Sequence, residues 1–184
     1  MPRIQPVEPD QATGKARELL DAVKAKLGLT LNMTKAMAAS PATLEGYLGL
    51  SGALGAGSID AATAERIALG VAEINECSYC LSAHSYLAEN VAKLDEIEIE
   101  RARRFQSADD HAAAVLRFAR AVVGARGGSN ADVEAARGAG LTDEELADIV
   151  GLVAVNVFTN YFNKTFDVEV DFPRVDPHEH ALAA

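Results

Sequence analysis

Apolar residues recur three and four positions apart in one segment of this chain after another, and no segment of useful length alternates apolar with polar. That period belongs to amphipathic helices, so the pattern predicts an all-α fold. Between Lys15 and Lys26 the stripe is Leu19, Leu20 and Val23, continued by Leu27, with Gly28 placed to stop the helix. Pro41 sits where a first helical residue belongs, behind Ser40 as N-cap, and leads through Leu44, Tyr47, Leu48 and Leu50. Further helices are expected from about Ala61 to Asn75 (Ile67, Val71, Ile74) and from Cys77 to about Val91 (Leu81, His84, Leu87). A short charged one is expected from Asp95 to Arg104, and a long one from Ala108 to Ala125 (Val115, Leu116, Phe118, Val122). Gly127-Gly128-Ser129-Asn130 reads as a loop. Thr142 and Glu145 form a capping box that opens a helix through Leu146, Ile149, Val150 and Val153; its extension past Asn156 to Phe166 is left open. Val168 to Phe172 is the best strand candidate, and it is short. From Pro173 the chain reads as a loose tail, in which His178 and His180 are expected to be solvated rather than metal ligands.

A chain of 184 residues makes one domain with a real core, so residues 1–184 are read as a single helical bundle. Against 17 Lys and Arg stand 27 Asp and Glu, a formal charge of −10. Such a chain has no overall attraction to phosphate, which argues against nucleic acid and anionic membrane as partners. No uninterrupted apolar run approaches the roughly 18 residues of a membrane span. The first residues, Met1 to Pro6, carry no apolar stretch of signal-peptide type, so a cytoplasmic, reducing location is expected. Two cysteines cannot make a disulfide framework for a chain of this size.

Their spacing says what else they can do. Cys77 and Cys80 are three apart, and His84 follows four residues later, in Asn75-Glu76-Cys77-Ser78-Tyr79-Cys80-Leu81-Ser82-Ala83-His84. On a helix, residues three or four apart are neighbours, about 5–6 Å between β-carbons. The two cysteines then lie within reach of a disulfide. The imidazole reaches Cys80, whereas Cys77 is about 10 Å away along the axis. A thiol of ordinary pKa is only about 3% ionised at pH 7, and the thiolate is the nucleophile. A neighbouring imidazole raises that fraction, and a second thiol resolves the sulfenic acid that a peroxide leaves behind. The helix dipole favours ionising Cys77 and the imidazole favours Cys80; dipole effects on exposed groups stay below about 1 kcal/mol, which tips the balance to Cys80. Two other readings stay open. A structural zinc site wants four ligands, and Cys77, Cys80 and His84 supply three. Two inert cysteines on a core helix are the other.

Glu65, eleven residues, Cys77-x-x-Cys80, three residues and His84 together resemble the signature of the alkylhydroperoxidase D-like proteins of the carboxymuconolactone decarboxylase superfamily. Asn32-Met33-Thr34-Lys35, Ala39-Ser40-Pro41-Ala42-Thr43-Leu44 and Tyr47-Leu48 resemble the N-terminal region of its peroxidase-related members. Asn156-Val157-Phe158 and Asn160-Tyr161-Phe162-Asn163 are similar to their C-terminal segment, so the likeness runs from about Gly14 to Phe172. It implies an all-helical bundle that forms homo-oligomers, trimers or hexamers, and a dithiol peroxidase activity. By position Cys80 would attack the peroxide, Cys77 would be its disulfide partner, and His84 and Glu65 would form a proton relay. Glu65 enters through the resemblance alone, and Glu73 and Glu76 are rival carboxylates, expected on the surface. Tyr79 stands where some members carry a second histidine, and it is expected to pack.

The leading expectation is reduction of a hydroperoxide by the Cys77/Cys80 pair. A thiol or dithiol from outside the chain would supply the electrons, since no nicotinamide or flavin fingerprint is present and no cofactor is expected. The same residues serve a general thiol-disulfide oxidoreductase. The other readings are a decarboxylase of a muconolactone-type acid, which wants cations in its pocket where only Arg66 is near, and a non-catalytic oligomeric helical module.

Overall fold

The computed structural model describes residues 2–178. Among these residues the regular structure is helical: α1 (Gly14–Leu27), α2 (Asn32–Met37), α3 (Pro41–Leu54), α4 (Ala61–Ile74), α5 (Ser78–Asn90), α6 (Glu96–Ala102), α7 (Asp110–Ala125), α8 (Asn130–Gly138) and α9 (Asp143–Phe166). Local chemistry sets most helix starts, because the first turn has free N–H groups that a short polar side chain can accept from. Ser40, Asp60, Asp95 and Asp109 cap α3, α4, α6 and α7 in this way. Thr142 and Glu145 bond reciprocally at the start of α9, as a capping box should. Gly28 adopts the left-handed conformation (φ 78°) and ends α1; the side chain of Leu27, expected on the α1 stripe, lies outside the described residues.

The bundle is organised around α4, which packs against α5, α6, α7 and α9. Its Ile67, Leu69, Val71 and Ala72 are fully buried. One side of α4 faces a cluster that includes Leu20, Met37, Leu44, Leu69 and Leu81; Ile67 and Val71 join a second cluster with Val115, Leu116 and Ile149. Gly70 has a reason to be glycine: a β-carbon there would stand 2.7 Å from the Phe105 ring. At 24 residues α9 is long and apolar enough to cross a membrane by length and composition. In this bundle its Leu146, Ile149, Leu152 and Val153 are core residues.

The structure departs from the sequence reading in several places. Two helices are added, α2 and α8. Of the four residues read as a loop, Gly127 and Gly128 are one, whereas Ser129 caps α8 through a capping box with Asp132 and Asn130 is its first residue. The last helix runs on without interruption to Phe166. Val168 to Phe172 is not a strand but an irregular strap laid over α2 and α5. The tail is docked at least to His178: Val175 N–H donates to Ser82 Oγ (2.8 Å), Ser78 Oγ to Asp176 (2.9 Å), and His178 N–H to Glu73 (2.7 Å). The His178 ring also pairs with Glu100 (3.0 Å), while His180 lies outside the described residues.

Candidate active site

The connection between α4 and α5 builds the site. Asn75 ends α4, Glu76 takes the left-handed backbone conformation (φ 51°), and Cys77 is the N-cap of α5. The Asn75 side chain donates to Asn160 Oδ1 of α9 (2.9 Å), and Lys164 donates to the Asn75 carbonyl (2.6 Å), so the turn is pinned from below. A connection this short folds the two helices back on each other. Glu65, eleven residues before Glu76, and His84, eight after it, are brought together by this hairpin: Glu65 Oε2 lies 2.8 Å from His84 Nδ1. Both side chains are about three-quarters buried, 21% and 23% exposed. A carboxylate facing Nδ1 holds the ring proton on that nitrogen and leaves Nε2 free to accept one.

Cys77 and Cys80 are joined as a disulfide, their α-carbons 5.3 Å apart. Cys77 Sγ also accepts the Cys80 N–H (3.3 Å), so the sulfur itself caps α5. Both residues are buried, at 1% and 2% exposed, but only one meets the cavity. That cavity, about 300 Å³, lies between α3, α4, α5 and α9; Cys80, His84 and Glu65 line it and Cys77 does not. Its walls are mostly apolar, with Met33, Leu54, Ile59, Leu87, Leu152 and Phe172 among them. Neither Lys nor Arg is among its lining residues. Arg66, the one cation expected nearby, turns instead to Glu98 (3.3 Å).

The spacing argument put His84 beside Cys80, and both do line one cavity. The hydrogen bond that reaches Cys80 Sγ, however, comes from Asn163 Nδ2 of α9 (3.4 Å). Asn163 is 3% exposed, and its Nδ2 also lies 3.3 Å from Met33 Sδ. It belongs to a buried polar row, Asn156, Thr159, Asn160 and Asn163, at helical spacing on an otherwise apolar helix.

The remaining candidates separate cleanly. Glu73, expected on the surface, is 2% exposed and bound by Arg103 (2.7 Å) and the tail. Glu76 pairs loosely with Lys164 (3.8 Å). Neither lines the cavity. Tyr79 is packed edge-on to Phe172 with its hydroxyl donating to Asp171 (2.7 Å). Burial, reinforced by the Asp171 carboxylate, pushes its phenol well above the usual range. Tyr47, across the cavity, is also pushed up by burial; a hydrogen bond with Ser51 opposes this and the charge of Glu65 adds to it. Both tyrosines therefore stay neutral at ordinary pH.

Residues 41–125 match the model of the carboxymuconolactone decarboxylase family. Over 92% of both chains the fold matches the alkylhydroperoxidase AhpD core of an uncharacterized peroxidase-related protein from Ralstonia eutropha JMP134, with 22% identity and a TM-score of 0.80. A second uncharacterized peroxidase-related protein, from Silicibacter sp. TM1040, is 24% identical with a TM-score of 0.73, covering 91% of this chain and 88% of that one. The debrominase Bmp8 is 20% identical with a TM-score of 0.76 over 91% of each chain. No curated protein sequence matches the chain. The chain has the all-helical AhpD-like fold, and its residues 41–125 match the carboxymuconolactone decarboxylase family.

Proposed function

We propose that this protein is a dithiol peroxidase that reduces a small organic hydroperoxide with Cys80 and Cys77. The observation that carries the reading is the cavity, which offers Cys80 but not Cys77 to a small molecule beside the Glu65–His84 pair. In the reduced protein His84 Nε2 takes the Cys80 proton, and Glu65 stabilises the imidazolium that results. The thiolate attacks the terminal oxygen of the hydroperoxide. The O–O bond breaks, and the alkoxide leaves with the proton from His84 as an alcohol. Cys77 then attacks the sulfur of the Cys80 sulfenic acid, water departs, and the disulfide closes. An external thiol or dithiol restores the pair by exchange.

Burial favours this reading over a protein disulfide as substrate, since neither sulfur is at the surface. The cavity also speaks against an acid substrate, because its charged partner would be the Glu65 carboxylate and no cation lines the wall. The apolar Val150, Phe158 and Tyr161 of α9 are 46%, 38% and 59% exposed, which supports a homo-oligomer covering this face, and the family likeness implies a trimer or hexamer. Light scattering at micromolar concentration tests this, and a monomer would refute it. The cytoplasm, where thiol reductants abound, is the proposed location.

The decisive experiment follows consumption of cumene hydroperoxide with dithiothreitol as reductant. Wild type should turn over and Cys80→Ser should not. Cys77→Ser should oxidise once and stall as the sulfenic acid. Turnover that survives Cys80→Ser would overturn the proposal.

A further inference from the structure

Asn163 presents its amide nitrogen to two sulfurs, Cys80 Sγ (3.4 Å) and Met33 Sδ (3.3 Å), while its buried Oδ1 has no partner among the described residues. An amide oxygen left empty in a core has a cost, so the orientation needs a cause. Met33 supplies it. A thioether can only accept, and turning the amide over would set a carbonyl oxygen against that sulfur. Met33 therefore keeps the N–H side toward Cys80 whatever the redox state of the cysteines.

A disulfide sulfur is a weak acceptor, and a thiolate is a strong one. The same N–H that barely holds Cys80 in the oxidised protein gains strength when Cys80 carries a charge. We propose that Asn163, oriented by Met33, is a positioning residue that holds the Cys80 sulfur as the reactive thiolate. The inference rests on the reading of Cys80 as the nucleophile. It also gives Cys80 an advantage over Cys77 that does not depend on His84. The titratable groups around the cavity are Glu65 from α4, His84 and Tyr79 from α5 and Tyr47 from α3. Glu65 opposes a negative sulfur, His84 as imidazolium favours it, and the neutral tyrosines add no charge. Asn163 contributes an uncharged donor that does not itself titrate in the working range.

The test measures the rate of iodoacetamide alkylation against pH in a Cys77→Ser background, where Cys80 is the sole thiol. Serine is itself a strong N-cap, so α5 keeps its start. Asn163→Leu, similar in volume, should move the midpoint up by roughly one pH unit, a tenfold loss of thiolate below it. Asn163→Asp keeps the shape but replaces the donor with an acceptor, and should move it at least as far. Met33→Leu leaves Asn163 in place but frees its amide, and should move it in the same direction by less. A change in packing alone would lower the rate without moving the midpoint. Midpoints within about 0.3 unit of the parent in both Asn163 variants would overturn the proposal. Loss of hydroperoxide turnover in wild type would instead overturn the peroxidase reading and leave the alkylation result standing.

Discussion

At the scale of single residues, the catalytic proposal comes down to a proton held between Glu65 and His84 at 2.8 Å. Glu65→Gln can still accept the Nδ1 proton but lacks the charge that stabilises an imidazolium. Its kcat/KM for hydroperoxide should fall about tenfold or more, and His84→Ala should fall further, within the 10²–10⁴ that a positioned acid or base supplies. Equal rates in wild type and Glu65→Gln would rule out the relay. Cys77, Cys80 and His84 were legible in the sequence because all three sit on one turn-and-helix, where spacing is geometry. Glu65 was not, since any contact between helices depends on how the turn folds; it was reached through family resemblance. Asn163 stood in the sequence only as part of the likeness at the C-terminal segment, and its role was not legible 83 residues from the sulfur it touches.

At the scale of elements, Glu98 ties together three parts of the bundle. It accepts from Arg101 of its own helix (2.9 Å), from Ser107 (2.8 Å) and the Ala108 N–H (2.9 Å) ahead of α7, and it pairs with Arg66 of α4 (3.3 Å). Burial alone would push this carboxyl up, but the donors from Arg101, Ala108 and Ser107, with the charge of Arg66, outweigh it and hold it at about 2 against an ordinary 4.5. A carboxylate depressed in the folded state stabilises fully above its unfolded pKa and loses that contribution as pH falls through its folded pKa. The urea midpoint should therefore drop between pH 4.5 and about 2. In Glu98→Gln the drop should be shallower and the protein less stable at pH 7; parallel curves would remove Glu98 as the cause. The caps at Ser40 and Thr142 were read correctly from sequence, whereas α7 was started at Ala108, two residues ahead of Asp110. The N-terminus of α2 could not be: Leu31 offers no side-chain cap, and the Asn32 N–H is met by the Asp171 carboxylate (3.0 Å) from the far end of the chain. In α8 the capping box was present, but the preceding glycine pair read as a longer loop.

At the scale of the whole molecule, a strap read as a short strand candidate and a tail read as loose turn out to be docked on the cysteine helix, and Phe172 of the strap lines the cavity. Local propensity gave no hint of this, because residues 168–178 form no regular element and are held by side chains of other elements. Ser78, Tyr79 and Ser82, all on the cysteine helix, each bond to this segment, through Asp176, Asp171 and Val175. The segment is docked on α5 through these bonds, and Cys77, 1% exposed, lies in the same apolar cluster as Val168. Oxidant and reductant that both reach Cys80 through its cavity must use it in turn, because neither can wait at the sulfurs while the other is inside. Initial rates should give parallel lines in double-reciprocal plots, and a bulky dithiol at high concentration should inhibit competitively against the hydroperoxide. Intersecting lines would mean that both substrates are bound at once and would rule this order out. On this view a cavity open to one sulfur of the pair fixes the order in which electrons pass through the protein.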